Sequence, residues 1–219
     1  MLKKLADNRE QGSLAVQFRK KRFAFFYALL SSLKRPVHIL DIGGTEDYWK
    51  MMELDTSDQV YITLLNLTET DVQLPNVKSV SGDARNLKAE DSSFDVVFSN
   101  SVIEHVGSYE DQLRMAEEVR RIGKCYFVQT PNKYFPLEPH FLFPLFQFLP
   151  IKIRVLLLQN FNLGWLKKTP DVVKAKAIVE SIRLLTKREF VALFPRAHIY
   201  EEKIFGITKS FVAYGGWGE

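Results

Sequence analysis

The sequence predicts an α/β fold with a doubly wound, seven-stranded sheet and a C-terminal antiparallel β-hairpin. From Val37 onward, short apolar runs alternate with helical segments, which is typical of right-handed βαβ units in a parallel sheet. Near the end of the sequence, only Gly206 and Ile207 separate two strand-like runs. A connection that short requires a hairpin, so the last strand runs antiparallel to its neighbour.

The individual elements follow in chain order. The first strand has the sequence VHILDIG and is apolar at nearly every position, as a strand covered on both faces should be. A short helix, EDYWKMMEL, comes next, and the following three strands are QVYITLLNL, VKSVSGDA and FDVVFSN. The helix SYEDQLRMAEEVRRIG ends at Gly123, and the fifth strand, KCYFVQT, stops before Pro131. A helix with Thr186 and Glu189 at the capping-box spacing then precedes the hairpin Ala197–Gly215.

The charge distribution divides the chain into an arm and a domain. Residues 1–35 hold nine Lys or Arg against two acids, whereas the remainder has a net charge of −3. We therefore predict a basic N-terminal helical arm over 1–35 and one domain over 36–219, with an aromatic-rich insert at about 132–181. The arm either packs on the domain or attaches to an anionic membrane. Nucleic acid is not expected, because no aromatic–basic strand pattern accompanies the charge.

Cysteine content and hydropathy indicate a cytoplasmic protein. Cys125 is the single cysteine, so the sequence contains neither a disulfide framework nor a CxxC metal spacing. The first residues lack the apolar core of a signal peptide. The longest uncharged run, Pro139 to Ile151, is shorter than a membrane span and carries three prolines.

Four consecutive predicted strands end in glycines or hydrogen-bonding side chains. Ligands of open α/β sheets bind beyond these carboxyl ends, and glycine lets a ligand approach the backbone closely. The sequence has neither a GxxxxGK[ST] nor a GxGxxG motif, and Glu46 and Asp47 would repel a pyrophosphate. A ligand without phosphates that carries positive charge fits these acids better. The four strand ends are Asp41–Thr45, Asn66, Gly82–Arg85 and Ser99–Ser101.

These residues resemble the class I S-adenosylmethionine-dependent methyltransferases, especially the methyltransferase type 11 group. Asp41-Ile-Gly-Gly is similar to the first motif of that family, SGDARNL to its adenine-contacting loop, and FDVVFSNSVIEHV to its fourth-strand motif. The resemblance covers about Val37 to Trp217 and implies a Rossmann-like fold with S-adenosylmethionine as cofactor.

The resemblance also implies which residues bind the cofactor. Asp41, Gly43 and Gly44 would line its methionine moiety, and Asn66 would face the ribose. Asp83 and Ala84 would contact the adenine, Asn100 and Ser101 the outer edge, and Thr45, Leu67 and Gly82 complete the predicted set.

Two departures from the family pattern keep a second interpretation open. Thr45 stands where the second glycine usually lies, and Asn66 replaces the usual acid, although Glu69 is near enough to substitute for it. A non-catalytic binding protein with the same fold is therefore the alternative to an enzyme.

Methyl transfer to an alcohol or phenol needs a group that removes the acceptor's proton, and histidine suits this task at neutral pH. His38 and His198 fall at the wrong strand ends and are predicted to be structural. His105 follows the fourth strand and His140 follows the fifth, so we predict these two as catalytic. The alternative for His105 is a packing or capping role at a helix start.

The segment TPNKYFPLEPHF after the fifth strand is the predicted acceptor site, with Asn132, Tyr134 and Glu138 as substrate-binding residues. The alternative is an ordered loop whose polar groups bind its own backbone. Some quinone-pathway methyltransferases hold a metal at Glu-x-x-Glu-His. This chain has Ser101 at the first of those positions, so no required metal is expected.

The predicted function is S-adenosylmethionine-dependent methylation, with the oxygen of a small or amphiphilic acceptor as the methyl-accepting atom. Aromatic, sugar-derived and lipid-linked hydroxyls all suit the aromatic insert, and N- or C-methylation stays open. A peripheral membrane protein that acts through the basic arm is the remaining alternative. The sequence does not fix the oligomeric state.

Overall fold

The computed structural model describes residues 12–54 and 59–218. The helices are α1 (Leu14–Leu30), α2 (Glu46–Met51), α3 (Tyr109–Ile122), α4 (Ile151–Asn160), α5 (Val172–Glu180) and α6 (Lys187–Leu193). The strands are β1 (Val37–Ile42), β2 (Val60–Asn66), β3 (Val77–Ser81), β4 (Phe94–Asn100), β5 (Gly123–Pro131), β6 (Leu137–Glu138), β7 (Phe143–Pro144), β8 (His198–Ile204) and β9 (Ile207–Gly215). Two 3₁₀ turns span Ile103–His105 and Phe146–Phe148.

Seven of the strands form one sheet in the order β3-β2-β1-β4-β5-β9-β8. The five strands β1 to β5 are mutually parallel, whereas β9 pairs antiparallel with both β5 and β8. The predicted Rossmann-like, doubly wound sheet and its C-terminal hairpin are confirmed. Because β1 to β5 are parallel, their carboxyl ends meet at one edge of the sheet, where the polar strand ends come together.

Helices cover both faces of this sheet, and adjacent residues of β4 show the two layers. Val97 points into a core formed with α3 and α6, which includes Met115 and Phe190. Phe98 points to the opposite face and packs with α1 and α2. Both layers are buried, which explains why the strands are apolar at consecutive positions.

Helix α1, the described part of the basic arm, packs against the sheet. Phe23, Phe26 and Leu30 are buried in the same core as Trp49 and Phe98. The ring centroids of Phe26 and Phe98 are 4.8 Å apart. The apolar face of α1 is therefore in contact with the domain and is not exposed for a membrane. Residues 1–11 of the predicted arm lie outside the described residues.

The insert after β5 has a small core of its own. Its helices α4 and α5 pack together around Leu158 and Val179, and Phe141 stacks on Phe146 with ring centroids 4.0 Å apart. A two-stranded antiparallel ribbon, β6–β7, precedes the helices and carries Glu138. The sequence did not reveal this ribbon, because each of its strands is only two residues long. Among the described residues, no helix has the length and apolar character needed to cross a membrane.

Candidate active site

Two glycines after β1 lie at the carboxyl edge of the sheet, packed closely against the side chains of Val102 and Asp41. Gly43 has a φ of +72°, and a Cβ added there would lie 2.4 Å from Val102 Cγ2. A Cβ on Gly44 would lie 1.8 Å from Asp41 Oδ2. Neither position accepts a side chain without displacement of its neighbours. The result is a wall of bare backbone at the end of β1.

Asp41 is a buried acid directly behind this wall. Its side chain is 1% exposed, and Trp49 Nε1 donates a 2.7 Å hydrogen bond to Oδ2. Burial raises the pKa of Asp41 to about 8, although the hydrogen bond from Trp49 opposes the shift. The carboxyl group is thus mostly neutral at pH 7, and a nearby cation would favour its ionised form.

The two residues that depart from the family pattern both stabilise the glycine loop. Thr45 is the N-cap of α2, and its hydroxyl accepts a hydrogen bond from the Tyr48 amide at 3.4 Å. The Asn66 side chain donates a 3.0 Å hydrogen bond to the Gly44 carbonyl. A carboxylate at position 66 could not donate this bond. Asparagine at position 66 is therefore explained by its hydrogen bond to the Gly44 carbonyl.

The loop after β3 forms the next part of the edge. Gly82 donates its amide to the Asn66 carbonyl at 2.8 Å. Arg85 binds both carboxylate oxygens of Asp83, and this hydrogen bonding lowers the pKa of that carboxyl group. Ala84 is buried, whereas Leu67 at the end of β2 is 81% exposed. Asp83 thus lies at the rim with its charge already balanced by Arg85.

A buried arginine of α1 reaches the end of β4. Arg22 is 4% exposed and forms a two-pronged ion pair with Glu202 of β8, at 2.9 and 2.6 Å. Its Nη1 also donates to Asn100 Oδ1. Next to Asn100, Ser101 has a φ of +59° and donates its hydroxyl to Gln129 Oε1 at 2.8 Å. Both predicted cofactor residues after β4 are held in place by hydrogen bonds.

The acceptor segment contains a buried carboxylate–histidine pair. Glu138 is 2% exposed, and its Oε1 lies 2.7 Å from His140 Nδ1. The backbone amides of His140 and Phe141 donate to the other oxygen, Oε2, at 2.8 and 2.7 Å. Since an ionised carboxylate only accepts, the proton of the neutral imidazole lies on Nδ1 and Nε2 is free to accept a proton or bind an ion.

Two residues from the turn after β4 meet this imidazole. His140 Nε2 lies 4.0 Å from Oε1 of Glu104, whose side chain is completely buried. The rings of His105 and His140 are 4.8 Å apart and perpendicular. Thr130 of β5 donates its hydroxyl to the second Glu104 oxygen at 3.0 Å. The structure thus brings together the two histidines that the sequence singled out, and it adds Glu104.

The protonation states in this cluster are coupled. Burial raises the pKa of Glu104 to about 7, although the charge of His140 opposes the shift. Burial and the charge of His140 lower the pKa of His105 to about 4. For His140, burial acts to lower the pKa, but the hydrogen bond and charge of Glu138, with the charge of Glu104, outweigh it and raise the pKa. His105 is therefore neutral at pH 7.

The other predicted acceptor residues have different surroundings. Asn132 is nearly buried and bonds backbone groups at both ends of its amide, the Thr208 carbonyl and the Tyr134 amide. Asn132 therefore binds the protein backbone, as expected for an ordered loop whose polar groups stabilise its own conformation. Tyr134 is 62% exposed and stacks on Phe148, with ring centroids 6.0 Å apart. Of these residues, Glu138 alone touches the histidine cluster.

Two cavities have different positions relative to this cluster. One of about 190 Å³ lies beneath the insert, and its walls include Glu138, Gln147 and Arg154. Gln147 Oε1 and Arg154 Nε have no hydrogen-bond partner there. The larger, about 720 Å³, lies at the opposite edge of the sheet beside Gly123 and Lys124. The smaller cavity shares Glu138 with the cluster, whereas the larger one shares no residue with it.

Both the sequence and the fold are similar to those of methyltransferases. Residues 42–125 match a family described as the methyltransferase domain. The seven-stranded sheet with its antiparallel hairpin is the class I methyltransferase fold. The resemblance noted from the motifs is therefore confirmed: residues 42–125 are similar to methyltransferase domains, and the sheet has the class I methyltransferase fold.

Individual proteins are similar to this chain only over a short stretch or at low sequence identity. The chain is 41% identical over 63 residues to uncharacterized proteins from two strains of Mycobacterium tuberculosis, and this alignment covers 27% of the chain and 22% of each relative. A solved S-adenosylmethionine-dependent methyltransferase from Methanosarcina mazei superposes with a TM-score of 0.51 at 15% identity, over 85% of this chain and 95% of that one. A protein from Pyrococcus horikoshii gives a TM-score of 0.52 at 16% identity, over 95% and 92%. At these identities the structures show a shared fold alone.

Sequence reasoning missed two residues of the site. Glu104 stands beside His105 in the quoted motif, and an acid within the apolar stretch VIEHV was the available signal. Arg22 gave no such signal, because it belongs to a run of four basic residues of which the neighbouring Lys20 and Lys21 are exposed.

Proposed function

We propose that this protein is an S-adenosylmethionine-dependent methyltransferase that methylates a hydroxyl oxygen of a small or amphiphilic acceptor. The observation that carries the proposal is the placement of two features at one edge of the sheet. The glycine wall follows β1, and the Glu138–His140 pair follows β5, whose carboxyl end lies on the same side. In this fold a donor and an acceptor are brought together at that edge.

The residues at the strand ends fit the cofactor. Gly43 and Gly44 present backbone without side chains at this edge, and the buried Asp41 next to them would supply an acid for the cofactor's ammonium group. The ribose would lie near Asn66 and the adenine near Asp83, while the residues that complete the site are Thr45, Leu67, Gly82, Ala84, Asn100 and Ser101. When bound, S-adenosylmethionine supplies an electrophilic methyl group on a positively charged sulfur.

The chain itself supplies the removal of the acceptor's proton. Glu138 holds His140 with Nε2 directed toward the cluster, so Nε2 takes the hydroxyl proton while the oxygen attacks the methyl carbon. The charge of Glu138 stabilises the imidazolium that forms. His105, neutral at pH 7, lies beside this proton and does not repel it.

The surface of the insert favours an amphiphilic acceptor. Helix α4 is apolar on both sides: Val155 and Leu158 are buried, while Ile153 and Leu156 are 44% and 58% exposed. The exposed pair are three residues apart and share a face. Apolar side chains left on the surface near a site suit a greasy ligand or an interface.

Calorimetry with S-adenosylhomocysteine tests the cofactor site. Gly44→Ala forces a methyl group to 1.8 Å from Asp41 Oδ2, so binding should fall below detection. Gly12→Ala is the matched control, because a Cβ at Gly12 meets nothing within 4 Å. Absence of binding to the unaltered protein would favour a different ligand.

Turnover of hydroxylated acceptors tests the proposed base. A panel of phenols, sugar-derived alcohols and lipid-linked alcohols is assayed by the S-adenosylhomocysteine released. With an acceptor that reacts, His140→Ala should slow turnover by about 10²–10⁴, and the exposed His198→Ala should not. Full turnover in both His140→Ala and His105→Ala would mean that positioning alone carries the reaction.

A non-catalytic binding protein is the second candidate. The engagement of Asp83 by Arg85 and of the Asn66 amide by Gly44 favours it, because both side chains are already bonded within the protein. This candidate predicts S-adenosylhomocysteine binding without turnover of any acceptor in the panel.

A further inference from the structure

We propose that Glu104, His105 and His140 bind one divalent transition-metal ion of the Zn²⁺ type at the acceptor end of the site. The expectation of no metal rested on a missing carboxylate in the segment after β4. The structure offers a third ligand from a different place, because His140 arrives from the segment after β5. Two imidazoles and one carboxylate then meet at one point.

The geometry of the three side chains is close to that of a metal site. One ligand atom from each residue lies within 4.8 Å of the others, and His140 Nε2 is 4.0 Å from Glu104 Oε1. Ligands about 2.0–2.2 Å from a tetrahedral zinc ion are roughly 3.3–3.5 Å apart. Closure of the cluster therefore needs movements on the order of 1 Å, which rotation of the partly exposed His105 and His140 side chains can supply.

An unsatisfied oxygen is the second, independent indication. Glu104 is completely buried, and its Oε1 has no hydrogen-bond partner. A buried polar atom left unpaired is costly, and such an atom in a native protein calls for an explanation. The orphaned oxygen faces His140 Nε2, so a cation between the two would satisfy both atoms.

Outer hydrogen bonds hold two of the ligands as metal sites require. Glu138 binds His140 Nδ1 at 2.7 Å, which leaves Nε2 for the ion in a carboxylate–histidine–metal arrangement. Thr130 donates to Glu104 Oε2 and leaves Oε1 toward the cluster. The turn that carries Glu104 is itself fixed by the wholly buried Gln112, which donates to the Ile103 and Arg183 carbonyls.

The ligand set selects the class of metal. Two imidazole nitrogens and one carboxylate oxygen are typical of zinc and of other first-row transition metals, whereas Mg²⁺ and Ca²⁺ prefer all-oxygen sites. Three protein ligands leave a fourth position open, as in catalytic zinc sites. An acceptor hydroxyl bound there would lose its proton more easily.

His140 Nε2 cannot bind a metal ion and accept the acceptor's proton at the same time, so the two roles of His140 exclude each other. With an ion bound, His140 would be a ligand, and the ion would lower the pKa of an acceptor hydroxyl bound to it. Methylation of a hydroxyl is proposed for either state, but the base step of His140 applies only to the metal-free protein; with an ion bound, the proton would pass to solvent. Metal binding can be measured without methyl transfer.

Spectroscopy and calorimetry on the full chain test the site directly. The protein is treated with a chelator, the chelator is removed, and the protein is titrated with Co²⁺ and, separately, with Zn²⁺. We expect one ion per chain and the visible absorption of four-coordinate Co²⁺, which Zn²⁺ abolishes. Glu104→Gln, His105→Ala and His140→Ala should each lose this signal, and Glu138→Gln should weaken binding about 10–100-fold with the stoichiometry kept.

The control variants are His38→Ala and His198→Ala, whose exposed rings lie outside the cluster. Both should bind the ion like the unaltered protein. Retention of stoichiometric, four-coordinate Co²⁺ in His105→Ala and Glu104→Gln, or absence of Co²⁺ and Zn²⁺ binding in the unaltered protein, would overturn the proposal. Because the His105 side chain is partly exposed at the surface, its variant should fold normally. S-adenosylhomocysteine binding by the same variants reports on the cofactor site separately.

Discussion

At the scale of single residues, we predict that Asp41 couples cofactor binding to the release of a proton. Burial raises its pKa to about 8, so at pH 7 the carboxyl group is mostly protonated in the free protein. A cationic ammonium group beside it favours the carboxylate and lowers this pKa. Binding of S-adenosylhomocysteine, which keeps the ammonium group, should therefore release close to one proton at pH 7.

Calorimetry in buffers of different ionisation enthalpy measures this proton directly. The release should diminish as the pH rises above 8, where Asp41 is already ionised, and should vanish in Asp41→Asn. Proton release of the same size in Asp41→Asn would assign the proton to another group. An asparagine at position 41 can still accept the hydrogen bond from Trp49 through its side-chain oxygen, so the variant removes the titrating group and keeps this contact.

At the scale of the elements, the contact between α1 and β8 includes a buried ion pair, Arg22–Glu202, beside the packing of Phe25 on Tyr200. Arg22→Met leaves Glu202 buried and without its main partner, which typically costs about 3–5 kcal/mol of unfolding free energy. Lys209 Nζ at 4.0 Å and the Ser210 hydroxyl still face Glu202, so we expect the lower end, about 3 kcal/mol. Urea unfolding measures the loss.

Two further variants separate the ion pair from other effects. Arg22→Met combined with Glu202→Leu removes both charges and should recover most of the lost stability, because apolar replacements of buried pairs are often neutral. Lys21→Met, at the exposed neighbouring position, should change stability by no more than about 0.5 kcal/mol. A double variant less stable than either single variant would show that packing, and not charge, dominates this contact.

The helices and strands that depend on a short stretch of sequence could be predicted from that stretch. The apolar runs gave the strands, and the Thr186–Glu189 spacing gave the capping box that the structure contains. Contacts between distant segments were not predictable in this way. Arg22 and Glu202 are 180 positions apart, and no local pattern links two such charges. The same limit applies to Glu104 and His140, which meet only because β4 and β5 are neighbours.

At the scale of the whole molecule, we predict that the insert is a lipid-binding surface within the described residues. The apolar face of α1 is buried against the sheet, whereas Ile153 and Leu156 of α4 are exposed beside Lys152. Exposed apolar groups with adjacent lysines bind anionic bilayers. We expect the protein to sediment with anionic vesicles and less with neutral ones, and added salt should weaken the binding.

The variant Ile153→Ser with Leu156→Ser should reduce this sedimentation at least about tenfold, because each buried side chain contributes about 1.5–3 kcal/mol. Tyr61→Ser is the control. Tyr61 is 48% exposed but lies at the amino end of β2, on the opposite edge of the sheet. Equal losses in the two variants, or no vesicle binding by the unaltered protein, would speak against the insert as a membrane contact.

The position of β9 between β5 and β8 affects how the chain folds during synthesis. Strand β5 ends at Pro131, but its partner β9 begins only at Ile207. At the usual rate of translation, this interval takes about 4–15 s. During that time the edge of β5 that later pairs with β9 presents unpaired backbone N–H and C=O groups, which are a site for misassociation with other chains. The sheet is thus protected at this edge only once the last strand of the chain has been made.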